Sequence, residues 1–519
     1  MAEIVTNALK QSSLYASSIQ GQGPDSSEYV YDLPRSSVNY FKDRHVRVKI
    51  NQTDPNSTFS VEIPAFGILR GMTLHTTFSW EQAASGAAAN ALGENVVPSR
   101  DLYANICRRF SLMNSSREIQ NLPSDVLKLR VKQLPADERA RWEMAGYANV
   151  RIGDQINHAP SDARPAQNID ETGGYFGEFP AIKYGTTAVG NGKSNKYTID
   201  VYTPLLFSCF EKGLAGSAAK NCFNTRFLER LSLQGEINGM HEMIVASGAM
   251  AVGGNPSISA MELLCDFDIV ETRDLDKIEQ ANYSLDTPLS IIQGNIATTE
   301  KAYTASAGEN EVTMSLFNTQ LAHSLIVTVR AKRDATRASD MAQAIKAGTS
   351  NTFDGCGPAA PTYEQVLRAA ARASRSQQHR IVASDNSLTG ADFKKIKYLK
   401  LEVAGRVIYE AKTYAELMFL TADANHFREE MGGKYSIGEL CDENGCNASN
   451  LIVIPFAEKE KMLNHLSGNL AMKGLNSCQL TVKFDSNGAT SYLVQAHVCY
   501  QQALSVESNS GRIAISVST

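Results

Sequence analysis

The 519-residue chain has no apolar run near the ~18 residues that a membrane-spanning helix needs, so no such helix is expected. It has no excess of positive charge: 50 Lys and Arg stand against 55 Asp and Glu, for a formal net charge of −5. That balance lacks the basic footprint of a chain that reads or condenses nucleic acid, and no sequence-specific nucleic-acid binding is expected. The opening segment, MAEIVTNALKQSSLYASSIQGQGPDSS, has neither the basic start nor the apolar centre of a secretory signal. It reads as a polar arm, of the kind that stays disordered unless a partner orders it.

Metal and nucleophile patterns are also scarce. His45, His75, His158, His241, His323, His379, His426, His465 and His497 never fall at H-x-H or H-x-x-x-H spacing, so no local set of imidazoles is ready for a metal. His497 lies inside an apolar strand pattern and reads as a partnered sheet residue. The nine cysteines are odd in number and scattered. Cys441 and Cys446 form the one close pair, with no second pair to complete a zinc site. Reduced thiols serving as small core residues are expected, as in an intracellular protein. No G-x-S-x-G elbow is present. Glu429-Glu430 is an acid pair by adjacency only, and a solvated face explains it better. No catalytic residue, metal or cofactor is expected.

One stretch invites a nucleotide. GTTAVGNGKS (185–194) ends like a phosphate loop, but too many residues separate Gly185 from Gly192-Lys193-Ser194. The residues that follow, NKYTIDVYTPLLF, place Tyr197, Ile199 and Val201 in alternation, which is a strand. A phosphate loop must open a helix, whose N-terminal amides bind the anion. The stretch is therefore read as a turn.

What the chain has in abundance is period-two alternation in short runs, the mark of half-buried strands. HVRVKI (45–50), TFSVEIP (58–64) and MTLHTTFSW (72–80) come first, then a loop over 84–99. SDVLKLRVKQL reads as a helix opened by Ser124. Residues 150–196 are a Gly/Asn/Asp/Pro-rich excursion. Strands resume at YTIDVYTPLLF, at FNTRFLERLSLQGEI with Leu231, Leu233 and Ile237 on one face, and at MELLCDFDIVE (261–271). After a connector the pattern restarts with EVTMSLF and LIVTVRAK. A second excursion, about 333–392, holds a helix with a T-x-x-Q capping box at Thr362–Gln365. KYLKLEVAGRVIYEA (397–411) turns at Ala404-Gly405-Arg406, and LIVIPF, CQLTVKF, YLVQAHVCYQQAL and GRIAISVS close the chain. No βαβ rhythm occurs, so two all-β sandwiches or barrels in tandem fit best. The expected division is an arm (1–43), a first β-domain (44–272), a connector (273–307) and a second β-domain (308–519). Arg368, Arg372 and Arg375 share one face of the capped helix. That face is either solvated, as charge runs usually are, or an interaction face for phosphate or an acidic neighbouring subunit.

The closing hundred residues carry a resemblance. Pro455-Phe456, Ser467-Gly468-Asn469-Leu470, Leu480-Thr481-Val482 and Tyr492-Leu493-Val494 resemble the end of the second barrel in double jelly-roll major capsid proteins of virophages, polinton-like viruses and nucleocytoplasmic large DNA viruses. VYTPLLFSCF with FNTRFLERLSLQGEIN resembles the middle of that family's first barrel, and residues 46–78 resemble its opening strands. The resemblance implies an all-β chain of two tandem eight-stranded jelly-roll barrels with long loop insertions and a few short helices. It further implies a structural protein without catalysis, located in the virion and assembled inside the host cell. Its partners would be two further copies in a pseudo-hexagonal homotrimer, neighbouring capsomers, penton and minor capsid proteins, and an internal membrane. Two other functions remain open on the residues alone: a β-sandwich attachment or glycan-binding protein, and a jelly-roll enzyme.

Overall fold

The computed structural model describes residues 40–66, 68–83, 96–98, 102–132, 134, 182–184, 194–210, 223–225, 230–246, 257–270, 289–316, 321–331, 393–394, 396–420, 446–447, 451–457, 468–472, 478–486, 490–509 and 512–518. In the first half, strands β1 (Tyr40–Ile50), β2 (Thr58–Glu62), β3 (Ile68–Ala83) and β4 (Val96–Pro98) precede helix α1 (Leu102–Asn105). Then come β5 (Cys107–Asn114), β6 (Arg117–Pro123), helix α2 (Ser124–Lys132), β7 (Ile182–Tyr184), β8 (Ser194–Pro204), β9 (Phe223–Asn224) and β10 (Leu231–Ile237). Helix α3 (Met240–Met243), β11 (Ile244–Ala246) and β12 (Ser257–Val270) complete this half. The second half runs β13 (Leu289–Ala305), β14 (Gly308–Ser315), β15 (Ala322–Ala331), β16 (Phe393–Lys394), β17 (Ile396–Val403) and β18 (Arg406–Ala411). Helix α4 (Tyr414–Leu420), β19 (Cys446–Asn447), β20 (Ile452–Pro455), β21 (Cys478–Ser486), β22 (Thr490–Asn509) and β23 (Arg512–Ser518) end it.

The two halves repeat one topology. In the first, β1-β12-β3-β8 form one sheet and β2-β10-β5-β6 the sheet facing it. In the second, β22 lies between β13 and β15, β15 also pairs with β20, and the facing sheet is β14-β21-β17-β18. With the short accessory strands set aside, each half orders its strands first-eighth-third-sixth and second-seventh-fourth-fifth. Every one of these pairings is antiparallel. Strands that alternate between two facing sheets in this order make a jelly roll.

Alternation in the sequence places the cores. β10 buries Leu231, Leu233, Gly235 and Ile237 in turn, and β21 buries Cys478, Leu480, Val482 and Phe484. Their intervening residues are partly or fully exposed, as a half-buried sheet requires. Gly235 is where Phe59 of the paired strand β2 lies across the backbone: a Cβ there would come within 2.4 Å of the ring. The β17–β18 hairpin turns on Ala404 and Gly405, both at positive φ (51° and 75°), as a two-residue primed turn needs. Arg406, expected in the turn, instead opens β18 and pairs with Val403.

Two other expectations need correction. The stretch 273–307, expected as a connector, contains β13, the first strand of the second barrel. Its middle reads Asn295-Ile296-Ala297-Thr298-Thr299-Glu300, which lacks the apolar alternation of a core strand because one face meets the other barrel through polar groups. The expected loop over 84–99 contains β4, which pairs with β11. Of the arm expected over 1–43, residues 1–39 lie outside the described residues, and residues 40–43 instead open β1, which begins at Tyr40. Ser194 opens strand β8, as the turn reading of GTTAVGNGKS required, while residues 185–193 lie outside the described set.

Candidate functional site

The most chemically loaded region is the seam between the barrels. The hydrophobic core of the first barrel continues onto the second: Ile296, Ile326, Leu451, Val453 and Cys499 pack in the first barrel's cluster, not their own. These residues lie on the outer face of the sheet built from β13, β22, β15 and β20. Against that face lie β6 and α2 of the first barrel.

Polar groups hold this contact in register. The Asn121 backbone N–H donates to Asn295 Oδ1 at 2.9 Å, and its side-chain amide reaches the Ile296 carbonyl at 3.4 Å. Gln120 Nε2 donates to Ser208 Oγ at 2.5 Å and to the Gly294 carbonyl at 3.2 Å, and Ser208 Oγ donates to the same carbonyl at 2.7 Å. Gln502 Nε2 donates to the Ile119 carbonyl at 2.6 Å. Buried amides like these cost free energy when unmatched, so each bond specifies one docking geometry.

Beside the amides sits an ionic cluster. Asp125, in the first turn of α2, accepts a hydrogen bond from Thr328 Oγ1 of β15 at 3.0 Å. His497 Nε2 of β22 stands 3.7 Å from the same carboxylate oxygen, an electrostatic contact longer than a hydrogen bond. Lys128 Nζ, one turn along α2, is 3.8 Å from the other oxygen. Burial pushes the Asp125 carboxyl up, but His497, the Arg330 guanidinium and the Lys128 ammonium outweigh it and hold the group well below the usual carboxylate range. For Arg330, burial works against the charge, while Asp125, Glu242 and Glu300 more than restore it. Glu300 of β13 also accepts from Gln495 Nε2 at 2.6 Å and pairs with Arg108 of β5, a second ionic link across the seam.

His497 Nδ1 meets Thr298 Oγ1 at 2.9 Å, so carboxylate, imidazole and hydroxyl stand in the order of a nucleophilic relay. The His497 and Asp125 side chains are each only 1% exposed. With both sealed between the barrels, the geometry is that of a packed contact. The sequence reading of His497 as a partnered sheet residue therefore agrees with its placement: Thr298 of the neighbouring strand is its hydrogen-bond partner, and Asp125 of the other barrel faces its second nitrogen.

Four cysteines with described side chains, Cys107, Cys265, Cys478 and Cys499, are buried and outside any disulfide. Burial, with a smaller push from Asp266, takes the Cys265 thiol up to about 12. Burial alone takes Cys478 to about 11. Both stay protonated at neutral pH, as core thiols do. Arg368, Arg372, Arg375, Glu429, Glu430 and Cys441 lie outside the described residues.

The sequence reading missed Asp125, Thr328, Arg330, Glu300, Asn121 and Asn295 as a site. A signal was present in β22: Gln495, His497 and Gln501 occupy the polar phase of YLVQAHVCYQQ without a Lys or Glu among them. Uncharged polar residues on one face of a long strand mark a face that is covered.

Two antiparallel barrels of one strand order, docked within one chain, define the double jelly roll. Among solved structures the chain is similar to the PBCV-1 virus capsid, with a TM-score of 0.53 at 12% identity, covering 94% of this chain and 99% of that chain. It is also similar to a chain of the Sputnik virophage, with a TM-score of 0.52 at 12% identity, covering 94% of this chain and 91% of that one. No protein-family model matches the sequence, and no curated protein matches it. The likeness at this identity is one of fold, and it agrees with the double jelly roll that the sequence resemblance named.

Proposed function

We propose that the chain is a viral major capsid protein that self-assembles into pseudo-hexagonal homotrimers, which tile an icosahedral shell. The observation that carries this reading is the duplication itself: one chain holds two barrels of identical strand order, locked by a buried seam. Three such chains supply six like barrels, the number a hexagonal tile needs, from one gene product and one interface type. The similarity to the PBCV-1 virus capsid over nearly the whole of both chains supports the same reading. The seam works as a structural joint, and the chain acts without catalysis. Neighbouring capsomers, pentons, minor capsid proteins and an internal membrane are its partners in the virion, with the arm before β1 as the contact on the inner side.

Size-exclusion chromatography with light scattering, followed by negative-stain imaging, tests the proposal. Particles of three times 56.5 kDa with a hexagonal outline are expected. A monodisperse monomer that binds a glycan would overturn it. Charge reversal at Arg368, Arg372 and Arg375 tests that helix face as an interaction face: impaired assembly assigns it to an interface, and unchanged assembly returns it to solvent.

A further inference from the structure

Two side-chain atoms of β22, His497 Nε2 and Gln495 Oε1, are buried in the seam without a hydrogen-bond partner among the described residues. Native interiors leave few such atoms, and each asks for a cause. The two residues lie two positions apart on one strand, so they share the face that meets the first barrel. The far end of each group is already engaged. Gln495 Nε2 donates to Glu300 Oε1, which leaves the amide oxygen as the unmatched end. His497 Nδ1 lies against Thr298 Oγ1, and Nε2 faces Asp125 Oδ2 at 3.7 Å.

Strand pairing makes these atoms neighbours. Gln495 pairs directly with Thr328 of β15, and Thr328 Oγ1 donates to the same Asp125 oxygen that His497 faces. Directly opposed residues hold their Cβ atoms roughly 5 Å apart. Asp125 Oδ2, His497 Nε2 and Gln495 Oε1 therefore stand together under the first turn of α2.

Their chemistry defines what fits between them. An amide oxygen and an ionised carboxylate can only accept hydrogen bonds, whereas an imidazole nitrogen can donate. Two acceptors and one donor are the complement of a water molecule, which makes about three bonds when buried. A further cation would meet Lys128 and Arg330, which already face Asp125, and an anion would meet the carboxylate itself. Atoms 3.7 Å apart are too distant for a direct bond, but both can lie about 2.8 Å from one water oxygen.

We infer that the seam holds one ordered water, which accepts from His497 Nε2–H and donates to Asp125 Oδ2 and Gln495 Oε1. His497 then carries its hydrogen on Nε2, and its Nδ1 accepts from the Thr298 hydroxyl. The outcome is an unbroken chain of hydrogen bonds from Thr298 of β13, through His497 of β22 and the water, to Asp125 of α2 and on to Thr328 of β15. The water is a working part of the joint, because it ties a carboxylate of one barrel to three strands of the other. The inference concerns a single chain and stands apart from the capsid reading.

A high-resolution crystal structure of the full-length protein should show a density peak within about 3.2 Å of all three atoms. Nitrogen NMR of histidine-labelled protein should show the Nε2–H tautomer for His497, with the signal assigned by its loss in His497→Gln. Magnetic relaxation dispersion of the water oxygen counts long-lived internal waters. Gln495→Met removes the amide acceptor at similar volume and should lose one of them. Thr76→Val is the control. The Thr76 hydroxyl is also buried without a partner, but its strand neighbours are Met261 and Val201, so this variant should lose none. Direct bonding of His497 Nε2 to Asp125 with no such peak, an ion in its place, a hydrogen on Nδ1, or an unchanged count in Gln495→Met overturns the inference. If Gln495→Met does not fold, the density and the tautomer of the wild type decide.

Discussion

Asp125 joins two barrels through a charge that neither could bury alone. Removing one member of a buried ionic cluster leaves the others uncompensated, at a cost of about 3–5 kcal/mol. Asp125→Asn keeps the shape and an acceptor for Thr328 but removes the buried negative charge that faces His497, Lys128 and Arg330, so urea unfolding at neutral pH should show a loss of that order. The same residue sets a pH dependence. Its folded carboxyl titrates well below the ordinary range, so the unfolded chain takes up this proton more readily than the folded one. The stabilisation is full above the unfolded value of about 3.9 and is lost as pH falls below it toward the folded value. Between about pH 5 and pH 3, wild type should therefore lose more unfolding free energy than Asp125→Asn; equal losses would remove the carboxylate from the account. Gly235 is a second residue whose role lies in a contact. Its place among Leu231, Leu233 and Ile237 was legible as an inward phase, but the reason for a glycine there was not, because Phe59 is remote in sequence. Gly235→Ala forces the buried Phe59 ring aside and should cost about 1–3 kcal/mol in a denaturant melt, with the β-sheet spectrum retained.

At the scale of elements, alternation recovered what it physically encodes. Strands with one face on their own barrel's core, such as β2, β10, β14 and β21, were readable because apolar and polar residues alternate. Helix α2 was readable from Ser124 and its leucines. Strand β13 was missed because its outer face meets Asn121, Ser208 and His497, so its covered phase is polar and resembles a linker. Helix α4 was missed although Thr413-x-x-Glu416 is a capping box in sequence. The Glu416 N–H donates to Thr413 Oγ1 at 3.1 Å, and the Glu416 carboxylate accepts from the Lys412 N–H at 2.8 Å. A seven-residue helix has too few turns to show a period, so only the cap could have announced it. Thr413→Ala should lower stability by about 1 kcal/mol, and Thr413→Ser should restore most of it, as read from paired thermal melts. If α4 is held by packing alone, the two variants will melt alike.

At the scale of the molecule, the double barrel was legible from the order of its strands and from the resemblance at its C-terminal end, whereas the joint between barrels was not. Asp125 and Thr328 lie 203 positions apart, and Gln502 reaches Ile119 across 383. No local pattern encodes such pairs; only folding brings them together. The joint has a thermodynamic consequence. Because Ile296, Ile326, Leu451 and Val453 complete the core of the first barrel, that barrel cannot lose its partner without exposing its own interior. Two domains sharing a core in this way should unfold in one cooperative step. Differential scanning calorimetry of the single chain should therefore show a single transition with matching calorimetric and van't Hoff enthalpies. Asp125→Ala combined with Asn295→Ala removes the ionic cluster's carboxylate and the amide that fixes Asn121, without touching either barrel's hairpins. In that variant the peak should broaden or split, and the second barrel, whose cluster of Leu325, Val327, Leu480 and Val498 is closed within itself, should melt last. A wild type that already melts in two steps would mean that the seam aligns the barrels without coupling their stabilities.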